Sequence, residues 1–513
     1  MLRNNQNEEH ATSAWMTYRS YMRLLRVSLL LALIVRLALF CLYQPWRPEV
    51  ERTRVIQGDE RFYHRAAVNL INGHGFSYNE AAPYVPSNFR VPGFPLMLSI
   101  VYRVAGVRPW VMLLLHIVFS LATLVLISVT CGIVFGPRSA RVCGFLLALC
   151  PLDIVGTQVL LREPLFALLN AGFWSAWILY VLRGRWWQLA TAGIALALAT
   201  YVRENTMLLP VVLLMLLGLQ ALLTRTYRRG LVMAMVLTVS SALPLLPWSL
   251  RNHVRLKTWS LSSAGGMTML NGNGALLLVA KHNADYVQMM HILWQVLNKR
   301  YSIPEPLAPE MQAALVGAYH TNDALVAAVT PAYFDVTTTP RIVLSSVPEI
   351  SAAQMRLFTQ IVKENRLLYL KITARSTLHI LFVPLWQELM RLTMPGLDSS
   401  KLAMATLHGD VAFMHDIGWA RAGIAIVCAG VMTLYDVIVG VAALIGVFVL
   451  LRRRLGLVMT LSWLLVCVYA LAVILGPNAT ARFRSTLLPQ LVPLAALALS
   501  ALPWRRCADQ KTV

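Results

Sequence analysis

Asp59 and Glu60 open a segment, Asp59-Glu60-Arg61-Phe62-Tyr63-His64-Arg65-Ala66-Ala67, whose residue types could move a proton. Phe62, Ala66 and Leu70 recur at helical spacing, with Tyr63 and Ala67 beside them, and Gly73 and Gly75 follow. That pattern predicts an amphipathic helix over 60–72 lying on a membrane surface. Acids at a helix start have two uses. They cap it and complement its dipole, or a carboxylate held there accepts the proton of an acceptor hydroxyl. Spacing alone leaves both open. Because Asp59 and Glu60 are adjacent, they cannot both be assumed to face one site.

A second group could hold an anion. Arg90 begins Arg90-Val91-Pro92-Gly93-Phe94-Pro95, where two prolines stiffen the chain. Arg203 lies in Tyr201-Val202-Arg203-Glu204-Asn205, Arg251 follows Pro247-Trp248-Ser249-Leu250, and Arg482 and Arg484 flank Phe483. Guanidinium groups present paired donors that match phosphate. Singly, each fits a lipid-headgroup contact; several on one face point to an anionic ligand. Arg36 differs, because it interrupts an apolar run. A charge inside a membrane marks function unless it snorkels to the surface, and Asp436 is a candidate partner.

Other chemistries lack their signatures. The histidines show no metal-ligand spacing, and the seven cysteines include no CxxC pair. The run Gly265-Gly266-Met267 to Asn271-Gly272-Asn273-Gly274 carries no phosphate-loop or dinucleotide fingerprint and reads as a turn-rich loop.

The elements that position these residues follow from composition. Of 513 residues, 58% are hydrophobic and 13% charged, about half the charge content of a soluble domain. Spans are predicted at 24–44, 109–133, 139–157, 164–182, 187–202, 206–224, 230–250, 432–451, 456–475 and 485–503. The fold class is therefore an all-α polytopic membrane protein of about ten transmembrane helices, with room for more, and with interfacial helices in large extracytoplasmic loops. Net charge is +22, yet the basic residues form short clusters between apolar runs. That distribution signals orientation rather than nucleic-acid binding. The clusters at Arg19–Arg26, Arg138–Arg141, Arg183–Arg185, Arg225–Arg229, Arg452–Arg454 and Arg505–Arg506 all fall on one side if both termini are cytoplasmic. The chain then divides into a cytoplasmic N-terminus 1–23, a core 24–250 containing an outer loop 45–108, an outer region 251–423, C-terminal spans 424–503 and a tail 504–513. No cleavable leader is expected, because polar residues precede the first apolar run. Segments 351–363 and 366–386 are predicted as amphipathic helices, the second a poor span because of Lys371 and Arg375.

The order of these motifs resembles the C-type glycosyltransferase superfamily, in the bacterial branch similar to protein O-mannosyltransferases and the lipid A aminoarabinose transferase. The likeness runs through the buried Arg36, the Asp59-Glu60 helix start, Gly73-His74-Gly75-Phe76, Arg90 to Pro95, Arg162-Glu163-Pro164-Leu165-Phe166, Pro247-Trp248 to Arg251-Asn252, and Ala481 to Arg484. It implies inverting transfer of a sugar from a polyprenyl-phosphate donor to an extracytoplasmic lipid, glycan or protein, with or without a divalent metal, in a bacterial inner membrane. By resemblance Asp59 stands at the catalytic position with Glu60 its neighbour. Arg90, Arg203, Arg251, Arg482 and Arg484 stand near the donor phosphate, and Arg36, Tyr63 and Glu163 are further candidates. One carboxylate suffices for a single displacement, whereas a retaining path needs a second placed as nucleophile. No C-terminal soluble domain is expected, which leaves the acceptor open. The alternatives are a transporter or flippase for a lipid-linked or anionic solute, and a ligase that transfers a lipid-linked glycan.

Overall fold

The computed structural model describes residues 2–56, 59–283, 289, 348–382, 419–453, 455–474 and 486–501. Arg482 and Arg484 lie outside the described residues. Those described form helices and connecting turns, with no strand among them. Six helices are long and apolar enough to cross a membrane: Arg23–Tyr43, Pro109–Phe135, Glu163–Arg183, Glu204–Thr224, Tyr227–Leu256 and Ile426–Arg452. Four shorter apolar helices, Gly93–Ala105, Trp186–Val202, Leu457–Ala472 and Leu488–Ala501, accompany them. The chain is an all-α polytopic membrane protein. Its exterior agrees with that solvent: Leu30, Ile34, Met215, Leu231, Leu444 and Val468 are more than half exposed, an arrangement that lipid rather than water rewards.

The labels used below are α1 (Leu2–Tyr43), α2 (Asp59–Ile71), α3 (Gly93–Ala105), α4 (Pro109–Phe135), α5 (Pro137–Ala148), α6 (Pro151–Gly156), α7 (Glu163–Arg183), α8 (Trp186–Val202), α9 (Leu209–Thr224), α10 (Tyr227–Ala242) and α11 (Leu246–Leu256). Then come α12 (Pro348–Glu364), α13 (Arg366–Phe382), α14 (Trp419–Arg452), α15 (Leu457–Ile474) and α16 (Leu488–Ala501). The core forms where α4 packs on α5 and α7, α7 on α8, α8 on α10, and α14 on α16. Gly446 of α14 lies so close to the Leu494 backbone of α16 that a Cβ would collide with it, the small-residue contact that lets membrane helices approach.

Several expectations change. The apolar run 139–157 is not one helix: α5 stops at Ala148 and α6 starts at Pro151. Pro151 cannot donate to a preceding turn and pushes Cys150 to an extended backbone (φ −64°, ψ 110°). The glycine-rich run after Ser263 is helical rather than turn-rich, as a short helix Ala264–Met267, a π-helical stretch Thr268–Gly274 and a helix Ala275–His282. The predicted helix at 351–363 corresponds to α12, and that at 366–386 to α13 as far as Phe382, with 383–386 outside the described residues.

The break explains Arg36. A helix that ends inside a membrane leaves carbonyls without donors, and these must be satisfied internally. Arg36 of α1 is fully buried and reaches that end. Its Nη1 donates to the carbonyls of Ala148 and Ala32, both at 3.0 Å, and its Nη2 to the Leu147 carbonyl at 3.3 Å. Nη2 also meets Asp153 Oδ2 of α6 at 2.6 Å, and Nε donates to Ser120 Oγ at 2.7 Å. Ser120 in turn donates to the same Asp153 oxygen. The guanidinium thus places a positive charge on the C-terminal end of α5, where the helix dipole favours it. Its carboxylate partner is Asp153, not Asp436. Arg36 anchors the broken helix and does not snorkel.

Candidate functional site

The helix predicted over 60–72 exists as α2, Asp59–Ile71, and its two acids point apart. Glu60 is 1% exposed, whereas the Asp59 side chain keeps 26% of its surface. Asp59 Oδ1 accepts a hydrogen bond from Arg90 Nη2 at 2.7 Å, and Arg90 Nη1 donates to the Tyr63 hydroxyl at 3.3 Å. Tyr63 follows Asp59 by one helical turn, so both side chains share a face. Its buried ring meets Phe94 edge-on at 5.1 Å. The Arg90 guanidinium lies 5.4 Å from the Tyr63 ring and 5.3 Å from the Phe89 ring, close enough for cation–π attraction. Burial alone would lower the Arg90 pKa, but Tyr63, Asp59 and Tyr78 beside it lift it above its ordinary value. Burial raises the Tyr63 phenol, opposed by Arg162 and Arg90 and assisted by Asp59 and Glu163.

The same electrostatic neighbourhood therefore includes the start of α7. Arg162 and Glu163 precede Pro164 there, and Arg203 and Glu204 follow the end of α8. The two Arg-Glu dipeptides exchange partners: Arg162 Nη1 is 3.7 Å from Glu204 Oε2, and Arg203 Nη1 is 3.9 Å from Glu163 Oε1. Glu163 at a helix N-terminus and Arg203 at a helix C-terminus each complement their dipole. Arg203 is 2% exposed and lies 5.8 Å from the Phe166 ring. Glu204 also acts electrostatically on Arg90 and Tyr78.

Two contacts bring Arg90 to this end of the bundle. Gly93, at the start of α3, presses on the end of α8: a Cβ there would stand 2.6 Å from the Tyr201 carbonyl oxygen. Arg251 of α11 holds the loop just before Arg90. Its Nη1 donates to the Ser87 carbonyl at 2.7 Å and to Asn252 Oδ1 at 2.9 Å, its Nη2 to the Phe76 carbonyl at 3.4 Å, and its guanidinium covers Trp248 at 4.6 Å. Ser262 Oγ adds a bond to the Phe89 carbonyl at 2.9 Å.

Asp59, Tyr63, Arg90, Glu163 and Arg203 are thus brought together. Arg251 holds the Arg90 loop, Glu60 is buried in α2, and Arg36 belongs to the α5–α6 break. Sequence spacing does not reveal Arg162, Glu204 and Asp153 as charge partners. The repeated Arg-Glu dipeptide and an acid just after Pro151 were their only signals. Among the described residues no three of the His, Cys, Asp and Glu side chains gather as a metal site requires.

This geometry can be set beside known proteins. Residues 86–248 match the family model described as dolichyl-phosphate-mannose-protein mannosyltransferase. The chain resembles a C-type glycosyltransferase. The matched segment runs from just before Arg90 to Trp248 and includes both Arg-Glu dipeptides. No curated protein matches the chain. Among solved structures, the oligosaccharyltransferase AglB of Archaeoglobus fulgidus, in complex with an inhibitory peptide and a dolichol-phosphate, is 15% identical with a TM-score of 0.49. The alignment covers 95% of this chain and 50% of that one, so the chain spans half the length of that enzyme. ArnT of Cupriavidus metallidurans bound to undecaprenyl phosphate is 13% identical with a TM-score of 0.37, over 92% of this chain and 77% of that one.

Proposed function

We propose that this protein transfers a sugar from a polyprenyl-phosphate donor to an extracytoplasmic lipid, glycan or protein acceptor, with inversion at the anomeric carbon. The observation that carries the reading is the Asp59–Arg90 ion pair, part-exposed at the head of α2 and seated on Tyr63. The mannosyltransferase-family match begins beside Arg90 and supports the same class of reaction. A hydroxyl of the acceptor attacks the anomeric carbon from the face opposite the phosphate. The new bond to carbon forms as the bond from carbon to the phosphate oxygen breaks. The hydroxyl proton passes to Asp59, and polyprenyl phosphate leaves with the bonding electron pair. Phosphate is already a good leaving group, so positioned positive charge is the main further requirement. Arg90 and Arg203 supply it on this reading, and Glu163 and Glu204 orient the basic side chains. Arg251 acts by holding the loop that carries Arg90. On this reading the site faces outward with both chain termini in the cytoplasm, which the distribution of basic clusters supports. In the assigned roles Arg482 and Arg484 rest on the resemblance alone.

The experiment is reconstitution of the full chain in liposomes with a panel of polyprenyl-phosphate sugars and candidate acceptors, measuring released polyprenyl phosphate and the anomeric configuration of the product. Turnover with inverted product is expected for at least one pair. Retained configuration would contradict the single displacement, and movement of intact donor across the bilayer without cleavage would favour a transporter.

A further inference from the structure

We propose that the turns joining α7 to α8 and α9 to α10 form a binding site for the phosphate headgroup of an anionic phospholipid. The inference does not depend on the glycosyl-transfer reading, because the site lies at the other end of the same helices. Glu163 begins α7 beside Tyr63, and Arg183 ends it 21 residues along, a helix length of about 31 Å, close to the hydrocarbon thickness of a bilayer. At that far end Arg183 and Arg185 flank Gly184, and Arg225, Arg228 and Arg229 flank Thr226 and Tyr227. One bond ties the two turns together: Arg229 Nη2 donates to the Gly184 carbonyl at 2.9 Å. Arg225 to Arg229, with Val232 and Met233, line an open hollow of about 570 Å³.

Three observations make this more than a topology signal. Positive charge beside a span sets orientation wherever it sits; it need not converge on one hollow, as Arg225, Arg228 and Arg229 do, with Arg183 and Arg185 in the adjoining turn tied to it by the Arg229–Gly184 bond. Here all five arginines are exposed, neither turn contains an acid, and among the described residues no carboxylate pairs with any of the five. Next, Arg228 and Arg229 occupy the first turn of α10, which has no acidic residue. Basic charge there opposes the helix dipole, and a bound anion would reverse the penalty. A sequence that breaks a local rule without compensation inside the fold points outside it. Finally, Trp186 and Trp187, 62% and 47% exposed, follow Arg185 directly. Amphipathic rings of this kind sit at headgroup level, which places the hollow where a lipid phosphate lies. The apolar part of the lining, Val232 and Met233, suits the glycerol and upper acyl chain.

The test is native mass spectrometry of the full-length protein titrated with phosphatidylglycerol or phosphatidylcholine. Wild type should retain phosphatidylglycerol at least about tenfold more strongly. Arg225→Gln combined with Arg228→Gln leaves the Arg229–Gly184 bond in place and should weaken that retention by about thirtyfold. The pair Arg225→Lys and Arg228→Lys should keep most of it. Melting temperatures of the variants report whether the fold survives. Equal retention of the two lipids by wild type would overturn the proposal, as would unchanged phosphatidylglycerol retention in a folded glutamine variant. Displacement of the lipid by millimolar glycerol 3-phosphate, which lacks acyl chains, would assign the hollow to a soluble phosphate instead of a lipid.

Discussion

At the scale of single residues, neighbours in sequence separate by role. Asp59 and Glu60 differ in exposure because α2 turns about 100° per residue, which carries Asp59 toward Arg90 and Glu60 into the packing. Residue types were readable: an acid at a helix start and an arginine before two prolines. Their partnership was not, because Asp59 and Arg90 are 31 positions apart and meet only where Arg251 and Ser262 hold the loop between them. His64 shows the same limit. Its Nδ1 lies 2.8 Å from the Tyr102 hydroxyl. Burial, with Arg65 adding to it, pushes its pKa down to about 4. A histidine depressed in the folded state binds its proton more readily when unfolded. Its contribution to stability is therefore intact above about pH 6.5 and is lost as pH falls toward 4. Thermal melts from pH 7 to pH 4.5 should show wild type losing stability more steeply than His64→Gln, which keeps a polar contact to Tyr102. Parallel curves would remove His64 from the acid response.

At the scale of elements, buried charge is used to join helix ends. The apolar run containing Arg36 was readable as a span, and Pro151 was a sufficient signal for a break. What composition concealed was that the arginine serves the break, since Arg36 and Asp153 are 117 positions apart. Removing one member of a buried pair strands the other, at a cost of about 3–5 kcal/mol. Asp153→Ala should lower the melting temperature on that account. Arg36→Met should lower it further, because the Leu147 and Ala148 carbonyls lose their donor as well. Equal, small effects would contradict the anchoring role. The Arg203–Glu163 pair makes a contrasting prediction. Either Arg203→Met or Glu163→Met alone should destabilise, while the double variant recovers much of the loss, as a double-mutant cycle in melting temperature would show. Gly93→Ala should strain the α3–α8 contact by about 1–3 kcal/mol, because the Tyr201 carbonyl would stand 2.6 Å from the new methyl. A variant as stable as wild type would show that α3 can shift without consequence.

At the scale of the whole molecule, the membrane class was readable because composition and span length are one-dimensional properties. The described helices include six long spans and four shorter apolar helices, but not the set drawn from hydropathy: 139–157 is broken, and Gly93–Ala105 adds an apolar helix within the segment read as a loop. The two ends of α7 and α8 carry different chemistry, ion-paired charges at one end and, at the other, arginines with no carboxylate partner among the described residues, on helices of about membrane thickness. The paired end is where the part-exposed Asp59 carboxylate and the aromatic-bedded Arg90 guanidinium coincide. The central claim is that Asp59 takes the acceptor proton there. Its most direct test compares polyprenyl-phosphate release by Asp59→Asn and wild type in the same liposomes. The account predicts a loss of at least about a hundredfold, the usual range for removing a general base, with the melting temperature little changed. Equal turnover in the two proteins would contradict it.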